Sequence, residues 1–99
     1  MTAYAIGHIK ITDQARYRDY EAGFFEALAP FNGTILAVDD APTAIEGEAP
    51  SARVVILSFP DQQSLNAWYN SEGYQKIARI RHQAADSNVI SVRAFELPG

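Results

Sequence analysis

The segment Arg53-Val54-Val55-Ile56-Leu57-Ser58-Phe59 constrains the fold more than any other part of the chain. Its β-branched and aromatic side chains favour an extended backbone. Its apolar residues do not alternate with polar ones, so neither face of the strand suits water. Ile35-Leu36-Ala37-Val38 is apolar on both faces as well. A sheet built from such strands needs cover on both sides.

The remaining segments supply that cover on one side. Residues 4–11 read as a first strand, ended by Thr12-Asp13, with Asp13 as a helix N-cap. Tyr17, Tyr20, Phe24, Ala27 and Leu28 recur at helical spacing and predict one helix, stopped by Pro30, with Gly33 at the following turn. Residues 34–38 form the second strand. Asp39-Asp40-Ala41-Pro42 is a loop, 44–46 a short extended continuation and 47–51 a turn. After the third strand, Pro60-Asp61 opens a second helical region carrying Leu65, Trp68 and Tyr69. This region breaks near 70–73 and resumes with Ser71 as a new cap through Ala85. Asp86-Ser87-Asn88 is expected to turn the chain, and residues 89–95 form the fourth strand.

The order βαββαβ defines an α+β, ferredoxin-like plait: a four-stranded antiparallel sheet with its helices on one face. All 99 residues make a single domain. Since two helical regions cover only one side of the sheet, a second copy of the chain is the expected cover for the other. A homodimer follows as the expected state.

One charge interrupts this apolar scheme. At 100° per residue, Tyr74, Ile77, Ala78 and Arg81 share the helix face that packs on the sheet. An arginine there needs a carboxylate, a carbonyl or a ligand, because a lone buried charge is costly. Glu46, followed by Gly47, is the expected partner. The pair reads either as an internal ion pair or as a binding site in which Arg81 holds a substrate carboxylate beside Glu46. Trp68, Tyr69 and Tyr74 could stack on a flat ligand, although aromatics at this spacing more often fill a core. His8, on the strand face it shares with Tyr4 and Ile6, and Glu46 are the two candidates for a general base. His82, near a helix end, reads as a solvated residue.

Other chemistries find little support. Two histidines without ligand spacing and no cysteine argue against a metal site. No phosphate loop or nucleophile elbow occurs, so no cofactor is expected. The net charge of −4, with eight scattered basic residues, argues against nucleic acid. No apolar run spans a bilayer and no leader pattern opens the chain. With the lack of cysteine, this fits a cytoplasmic protein.

Several features combine into a resemblance. Asp13 with Tyr17 and Tyr20, Gly33, Glu46-Gly47, Phe59-Pro60, Ala67-Trp68-Tyr69, Tyr74-Gln75 and Arg81 keep the order seen in the bacterial domain-of-unknown-function 1330 family, which the chain resembles over nearly its whole length. One departure is Asp39-Asp40, where that family often has a basic, glycine-rich segment. The resemblance implies a dimeric α+β barrel, with cofactor-free monooxygenases, isomerases and stress-related barrels as relatives by fold. Three functions are compatible with it. They are a small-molecule-binding domain with a pocket between sheet and second helical region, a cofactor-free enzyme acting on a small aromatic or keto compound, and a purely structural dimer.

Overall fold

The structure, a computed structural model, describes residues 1–96. The elements are β1 (Ala3–Ile11), α1 (Gln14–Ala22), α2 (Phe24–Leu28), a 3₁₀ turn (Ala29–Phe31), β2 (Thr34–Asp39), β3 (Arg53–Phe59), α3 (Gln62–Tyr69), α4 (Glu72–Ala84) and β4 (Ala85–Arg93). The strands form one antiparallel sheet in the order β2-β3-β1-β4. This is the ferredoxin-like plait.

Three polar residues start the helices as their chemistry requires. The side chains of Asp13, Asp61 and Ser71 accept hydrogen bonds from the amides of Arg16, Ser64 and Tyr74, at 3.0, 2.7 and 3.1 Å. Each satisfies an amide that has no partner within its helix.

The first helical region is interrupted where one helix was expected. Gly23 closes α1, with its amide bonding back to Tyr20, and α2 restarts from it. Asn32, at φ 59°, ends the 3₁₀ turn in the left-handed region that asparagine tolerates. The expected turn at 86–88 is instead strand. Helix α4 passes straight into β4, with Ala85 already extended. The Ala84 carbonyl accepts from the amides of Thr12 and Asp13, and β1 is long enough to pair Lys10 with Asp86, Ile9 with Ser87 and His8 with Asn88. A long partner strand therefore overrides the local turn preference of Asp, Ser and Asn. β4 ends at Arg93, two residues earlier than expected, and the 44–46 segment is irregular and exposed rather than extended.

The sheet has two unlike faces. Ala3, Ala5 and Ile9 of β1 are buried under the helices together with Leu57 and Phe59 of β3. Tyr4, Ile6 and His8 point the other way. There Ile6 stands between Ile56 and Ile90, and Tyr4 stands beside Val92. Ile90 is 56% exposed on that open face.

Gly33 is required by packing. A Cβ at this position would come within 2.3 Å of Leu28 Cδ1 and 2.8 Å of Phe59 Cε1. Both neighbours are buried, so neither can move aside freely. Gly33→Ala is expected to lower stability by about 1–3 kcal/mol through overpacking. A chemical-denaturation midpoint equal to that of the wild type would show that the site relaxes without penalty.

Candidate functional site: an aromatic cavity with a buried guanidinium

Between the sheet and the helices lies a cavity of about 200 Å³. Its floor is Ala5, Gly7 and Ile9 of β1, with Val55 and Leu57 of β3. Gly7 opens space at the centre of that floor. A Cβ there would meet only Ile9 Cδ1 at 3.5 Å and Val89 Cγ2 at 3.9 Å. The roof comes from both helical regions: Tyr17, Tyr20 and Phe24 from the first, Trp68, Tyr74 and Arg81 from the second. The pocket therefore lies under α1 and α2 as much as under the α3–α4 region to which it was assigned from sequence.

The aromatic roof is tightly interlocked. The Trp68 and Tyr74 rings are 4.2 Å apart, and Phe24 packs edge-on against both at 6.3 and 6.4 Å. The hydroxyls of Tyr20 and Tyr74 share a buried hydrogen bond of 2.9 Å. Burial pushes the Tyr20 phenol far above its ordinary pKa, and Tyr74 adds to the effect. Burial also raises Tyr17, partly offset by the Arg53 charge. Tyr17 and Tyr20 therefore stay neutral and act as hydrogen-bonding groups rather than bases.

Arg81 is 3% exposed, in the last turn of α4. Its Nη1 donates to Ser87 Oγ on β4, its Nη2 lies 3.5 Å from His82 Nε2, and its Nε has no hydrogen-bond partner. The guanidinium stands 5.9 Å from the centre of the Tyr20 ring. Burial opposes its charge, the Tyr74 and Tyr20 oxygens favour it, and the balance holds its pKa above the ordinary arginine value. Among the described residues no carboxylate pairs with it. The expected Arg81–Glu46 pair is thus overturned. Glu46 sits in the exposed irregular segment after β2, outside the cavity.

His8 is likewise outside the cavity. Strand alternation turns it to the open face of the sheet, where it is exposed between Val54 and Asn88. The structure thus gathers Arg81, Trp68 and Tyr74 around one space and leaves His8 and Glu46 away from it. Among the described residues no group of three or more metal-ligating side chains is assembled. No helix among them is long and apolar enough to cross a membrane.

A second arginine escaped the sequence reading. Arg53, at the start of β3, lines the cavity with Glu21 of α1. Its Nη1 lies 3.1 Å from Glu21, its Nε and Nη2 both reach Asp40, and its guanidinium stands 5.3 Å from the centre of the Tyr17 ring. The Asp40 hydrogen bond, opposed by burial and aided by Glu21, holds Arg53 firmly cationic. Arg53 in turn holds the Asp40 carboxyl below its usual range. The only sequence signal for this cluster was a charge heading an otherwise apolar strand.

This fold places the chain among ferredoxin-like α+β proteins, here with a cavity between sheet and helices. The sequence profile of the domain of unknown function DUF1330 matches residues 2–95, and the chain belongs to that family. No curated protein matches it. Among solved structures it is similar to a protein of unknown function from Rhodopseudomonas palustris, with 14% identity, 97% of this chain and 84% of the other covered, and a TM-score of 0.76. It is also similar to a dimeric ferredoxin-like protein of unknown function from Jannaschia, with 12% identity, coverage of 95% and 100%, and a TM-score of 0.69. A third similar structure is a cofactor-independent oxygenase from Streptomyces nogalater, with 14% identity, coverage of 97% and 95%, and a TM-score of 0.61. At these identities the likeness concerns the fold.

Proposed function

We propose that the protein binds a small, largely apolar organic acid, with the acid group on Arg81 and the apolar body on the aromatic roof. The observation that carries this reading is a guanidinium at 3% exposure, without a carboxylate partner among the described residues, in the wall of an apolar cavity. A lone buried charge is costly, and an entering anion offsets that cost with charge-assisted hydrogen bonds. At about 200 Å³ the space lies below the usual 300–1,000 Å³ of ligand clefts, so the ligand is small. The fold likeness to an oxygenase keeps a catalytic reading in view. The cavity favours binding, because burial holds the Tyr17 and Tyr20 phenols neutral and Glu21, the carboxylate among its described lining residues, is tied to Arg53.

The chain has one tryptophan, and it is in the roof, so intrinsic fluorescence reports on the cavity directly. Titration with hexanoate should give a saturable change, and hexan-1-ol should bind at least tenfold more weakly, as expected for loss of a charged hydrogen-bond partner. Equal affinity for acid and alcohol would overturn the assignment of Arg81 as the anchor.

Gly7→Val supplies an independent check. The new Cβ meets nothing closer than 3.5 Å, and its methyl groups project into the cavity floor. Stability should hold or rise by a few tenths of a kcal/mol, because glycine weakens a strand interior. The hexanoate response should disappear. A response of wild-type size in a folded Gly7→Val variant would place the ligand elsewhere.

The same reading includes a homodimer through the open face of the sheet. Ile6, Ile56, Ile90 and Val92 form an apolar surface there that water covers poorly, and the dimeric neighbour of similar fold supports a second copy as its cover. Light scattering at micromolar concentration should give twice the chain mass of 10.9 kDa, and Ile56→Lys should return it to the single-chain mass. A wild-type protein that remains monomeric would refute the dimer.

A further inference from the structure

We infer that the cavity selects acids carrying a single negative charge, and that Glu21 is the residue that rejects a second one. The inference rests on the reading of Arg81 as the acid anchor and adds the far end of the ligand to it. The sheet register fixes where that far end lies. Ile9 of β1 is paired with Arg53 on one side and with Ser87, the partner of Arg81, on the other. Two strand spacings therefore separate the Arg53 and Ser87 backbones, roughly 10 Å. A ligand with its acid group at Arg81 extends along the β1 floor, Gly7 and Ile9, toward the rim formed by Arg53 and Glu21.

The two ends of this path differ in charge. At the Arg81 end there is one guanidinium, and among the described residues no carboxylate pairs with it. At the Arg53 end one guanidinium faces two carboxylates, Glu21 and Asp40, which leaves the rim one negative charge in excess. Arg53 looks by residue type like a second acid-binding group. Three of its five N–H donors are already engaged, one by Glu21 at 3.1 Å and two by the oxygens of Asp40. A second carboxylate arriving there would meet Glu21, which lines the cavity, beside a guanidinium whose charge two carboxylates already offset. An uncharged apolar end meets no such repulsion, and Phe25 and Val38 are among the apolar side chains of the cavity wall.

The test compares hexanoate with adipate, which differs by one added carboxylate at the far end. Both are titrated into the wild-type protein and into Glu21→Gln, with Trp68 fluorescence and calorimetry as readouts. Wild type should prefer hexanoate by at least about tenfold, the scale of one like-charge contact near a protein surface. Glu21→Gln should reduce that ratio to about threefold or less, with adipate binding tightening more than hexanoate binding. Glu21 is half exposed, so the variant is expected to fold, and a melting curve checks this. The unmodified protein gives a second arm, since raising salt from 0.05 to 1 M should shrink its preference as the rim charge is screened. Hexanoate binding with equal adipate binding, or a ratio insensitive to both Glu21→Gln and salt, would overturn the inference and leave the acid-binding reading standing. Failure of wild type to bind either acid would remove both.

Discussion

Arg81→Met should weaken hexanoate binding by a factor of about thirty to several thousand, while the protein melts within a few degrees of wild type. The first half follows from truncating one partner of a buried charge pair, which costs about 2–5 kcal/mol in affinity. The second half follows from what the guanidinium touches in the unliganded chain. Its partners are a serine hydroxyl and a histidine ring nitrogen, and no carboxylate among the described residues is left stranded when it goes. Methionine keeps the apolar stem and removes a charge at 3% exposure that no carboxylate among the described residues pairs with. Ser87 is only partly buried, so water can replace the lost donor. Thermal melts and fluorescence titrations on the same sample decide the matter. A loss of several kcal/mol in stability, with ligand affinity retained, would make Arg81 a structural residue and end its role as an anchor.

Trp68→Ala should be the most damaging single change in the chain. Trp68 is 2% exposed and packs against Phe24, Phe59, Tyr69 and Tyr74 at centroid distances of 4.2–6.3 Å. Removing such a ring from a core costs about 3–5 kcal/mol, the spread depending on how far the surroundings collapse. For a domain near 100 residues each kcal/mol shifts the melting temperature by about 4–8 °C, so a fall of at least about 12 °C is expected. Circular dichroism at 222 nm measures it. A melting temperature within 5 °C of wild type would show that this roof is an adaptable wall and not part of the stabilising core.

The sequence made some of this legible and concealed the rest for physical reasons. Elements whose signals are local were readable, including the caps at Asp13, Asp61 and Ser71, the apolar strand at 53–59 and the break before α4. Arg81 could be placed on a buried face because helical periodicity reports burial directly. Its partner could not be placed. Glu46 is the acidic residue of a short motif, but spacing along the chain carries no information about where an irregular segment folds back. The Arg53–Glu21–Asp40 cluster was invisible for the same reason, since it joins residues 32 and 13 positions apart. The turn expected at 86–88 failed because its residues have turn preference only in isolation. Facing the polar end of β1, they become a strand.

The direct passage from α4 into β4 has a consequence for how this chain can change over evolution. At the junction of Ala84 and Ala85 the helix hands over to the strand with no spacer, and Arg81 and Ser87 grip each other across it. Because side chains alternate along a strand, one inserted residue there would exchange the two faces of β4. Ile90 and Val92 would turn toward the helices, Val89 would turn away from the cavity, and Ser87 would leave Arg81. The irregular stretch between β2 and β3 carries no such register, and its exposed backbone can absorb added residues. Length variation among descendants of this sequence should therefore collect between residues 40 and 52, and the 84–85 junction should keep its length.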